Sequence, residues 1–184
     1  MKENLKLWCK TAQQALQKEL DIRNIMRVPK IEKIVINVGF KDAVSNSKVV
    51  TNGMALLADI VCQQPVKTLA KKSIAGFKLR EGMPIGTYVT LRGIRMYAFL
   101  YKLIHIVLPK IRDFQGVSTK LDGQGNYNLG LVNLEVFPEG ERSGVNEFST
   151  GASITFVTST RNDHEALACL KAFGMPFKKD QKIN

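Results

Sequence analysis

Between Lys67 and Arg95 the chain carries Lys67, Lys71, Lys72, Lys78, Arg80, Arg92 and Arg95 against a single acid, Glu81. These residue types suit one kind of chemistry: each lysine or arginine neutralises a phosphate, and a cluster of them holds a polyanion, nucleic acid before a membrane surface. The block contributes +6 of the chain's net +11, so the charge is local and not a diffuse aid to solubility. Gly76, Gly82 and Gly86 interrupt the same stretch, which prevents a helix and lets backbone amides approach an anion closely. The spacing predicts a cationic loop over residues 71–86, with Lys71, Lys72, Lys78 and Arg80 around its glycines. Two apolar members, Ile74 and Phe77, must either tuck into the domain or stack on a partner.

No comparable set exists for catalysis. His105 lies within a helical stripe of mostly apolar neighbours and His164 falls in the first turn of a helix. Neither has a Cys, Asp or Glu partner at metal-ligand spacing, and both read as structural histidines. The glycines of DGQGNYNLG, Gly123, Gly125 and Gly130, miss the GxGxxG spacing and do not join a strand to a helix, which rejects a nucleotide fingerprint. Glu135, Glu139 and Glu141 flank a turn at Pro138 and read as a solvated acidic edge. Cys9, Cys62 and Cys169 are odd in number and scattered, so they offer neither a disulfide frame nor a metal clip. Each reads as a buried small hydrophobe in a reducing compartment. The expectation is a protein without turnover, cofactor or metal. A small RNA-modifying enzyme would need a catalytic group that the sequence does not offer.

The elements that must position the cations follow from periodicity. At 184 residues the chain fits one domain, residues 1–184, able to hide roughly 70% of its unfolded surface. No apolar run approaches the roughly 20 residues of a membrane span. The opening MKENLKLWCKTAQQALQKEL reads as mature sequence, not a leader. Within residues 1–24, Leu5, Trp8, Ala12, Ala15 and Leu16 predict an amphipathic helix that ends before Val28-Pro29. KIEKIVINVGF (30–40) alternates Ile34, Ile36 and Val38 against Val35, Asn37 and Gly39, the pattern of a strand buried mainly on one side. Ser45 and Asn46 can cap a helix bearing Val49, Gly53, Leu56, Leu57 and Ile60. Strands are predicted over 65–71 and 87–93. A helix over 95–108 carries Met96, Phe99, Leu100, Leu103 and Val107 and ends at Pro109. DGQGNYN (122–128) is a turn, and LGLVNLEVF (129–137) and ASITFVTS (152–159) supply two more strands. A capping-box pair, Asn162 and Glu165, opens a last helix over Leu167, Leu170 and Phe173, stopped by Gly174.

This order predicts an α+β fold: a mostly antiparallel sheet with helices on one face and the other face open for RNA. The side chains not committed to the helical layer include Asn37, Lys67, Lys71, Tyr88, Thr90 and Arg92. They supply cations for phosphates, Asn and Thr for 2′-hydroxyls and base edges, and an aromatic ring for stacking, the parts that structured RNA requires. A free-standing RNA-binding regulator would share such a face.

The segments MRVPKIEKIVINVG, AKKSIAGFKLREGMPIGTYVTLRGIRMYAFL, LPKIRDFQGVS, DGQGNYNLG and FGMPFKK occur in this order between about residues 25 and 178. In them the chain resembles the bacterial and organellar family of large-subunit ribosomal protein number five. The resemblance implies a five-stranded antiparallel sheet and binding of 5S rRNA in the central protuberance, through positions that match here Asn37, Gln63 and Thr90. It also implies contact with 23S-type rRNA, and a basic loop that faces the elbow of P-site tRNA, holding Lys71, Lys72, Ser73, Lys78 and Arg80. A bridge to a small-subunit protein is implied around 109–146. The implied protein is no homo-oligomer, touches no membrane, and sits on the ribosome of a bacterium, a mitochondrion or a plastid. Two departures stand out. Cys62-Gln63-Gln64-Pro65 replaces the family's usual Gly-Gln-Lys/Arg-Pro turn, losing one cation, and residues 135–153 drift from the pattern. The terminal KDQKIN (179–184) reads as a solvated extension.

Overall fold

In the computed structural model, residues 2–44, 46–112, 114–142 and 150–178 are described. Ser45, the 143–149 part of the divergent segment, the side chain of Glu141 and the 179–184 tail lie outside them. Five strands, β1 (Ile31–Gly39), β2 (Val66–Leu69), β3 (Pro84–Leu91), β4 (Tyr127–Leu131) and β5 (Ala152–Thr158), form one antiparallel sheet in the order β2-β3-β1-β5-β4. The helices are α1 (Lys2–Glu19), α2 (Ser47–Val61), α3 (Gly93–Lys102, continued by Leu103–Val107 and Leu108–Lys110), α4 (Pro138–Arg142) and α5 (Asp163–Ala172). The α+β class read from the sequence is the one observed. The chain divides into two compact units. One holds Met1–Ile34, Arg92–Leu129 and Thr155–Asn184, the other Val35–Leu91 and Gly130–Ile154.

In the second unit, α2 packs on the β2–β3 hairpin. Its start is fixed by Asn46, whose side-chain oxygen accepts from the Lys48 amide at 3.0 Å and satisfies one orphan donor of the first turn. Val49, Val50, Leu57, Ile60 and Val61 are buried, as are Val89 and Leu91 of β3. Gly53 lies where α2 meets the ring of Phe40, so close that a Cβ there would overlap the ring.

In the first unit, Trp8 of α1 meets Tyr101 of α3 and Phe173 beyond α5 edge-on, with ring centroids 5.6 and 5.2 Å apart. Cys169 is sealed inside with its thiol directed at the Pro29 carbonyl, 3.6 Å away, and burial pushes its pKa up to about 12. Tyr127 donates to the Ser118 carbonyl at 2.7 Å. Burial likewise raises its phenol to about 12.

Several boundaries differ from the sequence reading. α1 stops at Glu19, with Ala15 exposed, and a separate 3-10 turn, Ile25–Arg27, is capped by Asn24 before Val28. β3 begins at Pro84, not at 87. α3 passes Pro109 because Leu103–Val107 is a π turn, with the Leu108 amide bonded to the Leu103 carbonyl. The widened turn makes room for a ring that a regular helix would exclude. The strand expected over 129–137 covers only Tyr127–Leu131, and a 3-10 turn, Leu134–Val136, and α4 follow. Leu134 and Phe137 are buried there, which draws Glu135 and Glu139 into half-buried positions and away from a solvated edge. Asn162 caps α5 by accepting from the His164 amide, but Glu165 accepts from Thr160 Oγ1 and not from the cap residue's own amide, so the box closes through Thr160.

Gly53→Ala is expected to destabilise the protein. Alanine gains about 1 kcal/mol over glycine inside a helix, but overpacking against a buried ring costs about 1–3 kcal/mol. Urea denaturation reads the sum, and a midpoint above wild type would mean that the Phe40 ring yields without cost.

Candidate nucleic-acid interface

The period of β1 and β3 divides their side chains between two faces. Ile34, Ile36 and Val38 are buried while Asn37 and Gly39 are exposed. On β3, Thr87, Val89 and Leu91 are buried, Thr90 is half-buried and Tyr88 keeps 40% of its surface exposed. Asn37 and Tyr88 are therefore uncovered. A Cβ on Gly86 would lie 2.6 Å from the Val38 carbonyl oxygen and 2.8 Å from Thr68 Oγ1. Gly86 is itself buried by these close neighbours, and only glycine fits.

The hairpin register corrects one position. Residues directly opposite in an antiparallel pair share a face, and Val66 lies opposite Tyr88 while Lys67 lies opposite the buried Thr87. Lys67 thus belongs to the face that α2 covers, at its open edge, and remains exposed there. Val66, 53% exposed, takes the place beside Tyr88 that the sequence reading gave to lysine. Sequence reasoning missed Val66 and Thr68 as members of this face. The signal that finds them is the ladder, because β2 is too short and too exposed for its alternation to set a phase.

Gln63 enters the site through the turn after α2. Cys62 ends that helix in the left-handed conformation at φ 54°, and the next residue's side chain is aimed back at β3. Gln63 Nε2 donates to the Thr90 carbonyl at 3.2 Å. Two of the three positions implied for 5S rRNA are thereby joined, with Asn37 exposed on β1 of the same sheet. Cys62 is exposed, contrary to its reading as a buried hydrophobe.

The cationic loop is a small hairpin closed on itself. Ile74 and Leu79 exchange backbone hydrogen bonds of 2.9 and 3.1 Å around a 3-10 turn, Ala75–Phe77, and Lys78 takes φ 52° to complete it. Ser73 Oγ accepts from the Glu81 amide at 3.0 Å, which braces the base. Lys71, Lys72, Lys78 and Arg80 are all exposed. Phe77 is 72% exposed, so of the two fates open to it the ring does not tuck into the domain. Arg92 is exposed at the extended residue that precedes α3.

Elsewhere the His105 ring packs against Tyr101, with centroids 4.4 Å apart and planes tilted by 45°, and His164 is exposed. Among the described residues no three His, Cys, Asp or Glu side chains converge as metal ligands, and no helix is long and apolar enough to cross a membrane.

An α+β sheet with an open face carrying Asn37 and Tyr88, and a basic hairpin at its edge, defines a protein with a surface suited to a polyanion. Residues 24–80 match the family described as ribosomal protein L5, and residues 84–177 match the ribosomal L5P family C-terminus. The chain belongs to the ribosomal protein L5 family. It is 55% identical over 165 residues to the large ribosomal subunit protein uL5 of Fusobacterium nucleatum, covering 89% of this chain and 90% of the relative. To uL5 of Acidobacterium capsulatum it is 55% identical over 166 residues, covering 90% and 91%, and to uL5 of Geotalea daltonii 52% over 164, covering 89% and 91%.

The left-handed turn at Cys62 makes a stability test. A side chain held there costs about 1–2 kcal/mol, whereas a glycine's added freedom in the unfolded chain costs about 0.4–1 kcal/mol. Cys62→Gly is expected to melt at or above the wild-type temperature, and Cys62→Ile below it. A Cys62→Gly protein that melts several degrees lower would place the thiol in an interaction stronger than its long contact, 3.9 Å, with the Asp59 carbonyl.

Proposed function

We propose that this chain is a structural constituent of the large ribosomal subunit that holds 5S rRNA on the uncovered face of its sheet. The observation that carries the reading is the placement of Asn37, Gln63 and Thr90: one exposed on β1, the other two joined by a hydrogen bond at the end of β3. Their amide and hydroxyl groups suit 2′-hydroxyls and base edges, and Tyr88 offers a ring for stacking. Affinity comes largely from phosphate neutralisation, so four to six contacts imply a fall of roughly 10²- to 10³-fold for a fourfold rise in salt. The basic hairpin, with Lys71, Lys72, Ser73, Lys78 and Arg80, faces the elbow of P-site tRNA. The protein also meets 23S-type rRNA, and its 109–146 region bridges to a small-subunit protein. The role is architectural, without turnover. The named relatives are bacterial, which favours the bacterial cytoplasm as the compartment.

Asn37→Ala and Thr90→Ala are each expected to weaken 5S rRNA binding by about 1–3 kcal/mol, because the RNA groups they pair are left buried without partners. Filter binding measures this, and wild-type affinity in both variants removes the open face from the 5S site. Lys78→Ala is expected to leave 5S binding intact and to loosen P-site tRNA on assembled ribosomes. Equal loss of both would end the division of labour between sheet and hairpin.

A further inference from the structure

The 3-10 turn between α1 and β1 is an apolar projection set among cations. Met26 is 90% exposed and Ile25 70% exposed, the reverse of what the hydrophobic effect favours for two adjacent apolar residues in a free domain. They form one wall of a groove of about 380 Å³ against α1, with Val28 at its floor. The other wall is polar: Gln13, Gln14 and Gln17 carry amides, and Lys10 and Lys30 complete the lining, which includes no acid. Gln17 is held in place by donating to the Ile22 carbonyl at 3.1 Å.

The groove's size and chemistry select an occupant. Its volume lies near the lower end of the roughly 300–1,000 Å³ typical of small-molecule sites, which is too little for a helix. Three apolar side chains make a face for a flat ring, primary amides pair with both donors and acceptors, and two ammonium groups suit phosphate. Arg27, the next residue of the same turn, lines a separate cleft with Arg161, Ser159, Thr160 and Asn162. Asp163 and Glu165 also line that cleft and are held by local hydrogen bonds: Asp163 accepts from the amides of Gly123 and Gly125 at 3.1 and 2.8 Å, and Glu165 from Thr160 Oγ1 at 2.7 Å. Arg27 and Arg161 supply the guanidinium groups of that cleft.

We propose that the groove receives a single unstacked nucleotide of ribosomal RNA, its base against Met26, Ile25 and Val28 and its edge read by the glutamine amides. The flanking backbone runs onto Arg27 and Arg161. This is a further RNA contact, in the unit that does not hold Asn37, Gln63 and Thr90. It rests on the reading of the chain as a ribosomal protein.

The test uses assembled ribosomes. Met26 is replaced by the photoreactive amino acid p-benzoylphenylalanine, and particles carrying the variant are purified by sedimentation and irradiated. The expected product is a covalent adduct to RNA at one nucleotide that is unpaired in the RNA secondary structure. In parallel, ribosomes carrying Met26→Glu should lose the protection of that same nucleotide from a base-specific alkylating reagent, while its paired neighbours remain unchanged. An adduct to a protein, an adduct spread over paired nucleotides, or no adduct from particles that contain the variant each overturns the proposal. Absence of the unsubstituted chain from the ribosomal fractions would instead overturn the underlying ribosomal reading. Since Met26 stands in solvent, neither substitution removes a core contact, and thermal melting of the purified variants verifies this.

Discussion

The constraint on which the rest depends is the two-residue period of β1 and β3 against a helical layer that covers only one side. Burying Thr87, Val89 and Leu91 in the interior that α2 closes forces Tyr88 and Thr90 outward, and burying Ile36 and Val38 does the same to Asn37. A slip of one residue would exchange every one of these side chains between interior and solvent. The candidate interface is therefore not an addition to the fold. The burial of Val89 and Leu91, at about 1.5–3 kcal/mol for each side chain, is what holds Tyr88 and Thr90 in position. Thr87 marks the strain in this arrangement: its hydroxyl is buried with no hydrogen-bond partner among the described residues.

Much of this was legible in the sequence because long elements carry redundant signals. KIEKIVINVGF shows its alternation from Ile34 to Gly39, and the five apolar positions of the 95–108 helix all lie buried. Where the reading failed, a local signal was overridden by packing or was too short to carry a phase. Pro109 normally ends a helix, but the π turn before it absorbs the ring. LGLVNLEVF has the composition of a strand, yet burying Leu134 and Phe137 around a turn won over extension. In β2 the four residues hold no apolar alternation, so only pairing with β3 reveals that Val66, and not Lys67, accompanies Tyr88.

The site shows the same division. Asn37 and Thr90 could be placed by counting residues along a strand. Gln63 could not, because its approach to Thr90 depends on a left-handed residue, Cys62, which periodicity does not announce. Family resemblance supplied Gln63, and the hydrogen bond to the Thr90 carbonyl supplies a geometric reason for it. The cations of the 71–86 loop were plain from composition. That the loop is a closed hairpin was not, because backbone bonds between Ile74 and Leu79 leave no trace in residue type.

The uncovered ring of Phe77, set among like charges, also governs how free copies of the chain behave. Exposed apolar groups of this kind draw molecules together, while Lys72, Lys78 and Arg80 on each copy push them apart. That repulsion reaches only about one Debye length, about 8 Å at physiological ionic strength and about 3 Å at 1 M. Concentrated salt of the sort used to strip nucleic acid from basic proteins removes the barrier and leaves the adhesive ring in place. Colloidal stability of the unassembled chain thus falls as salt rises.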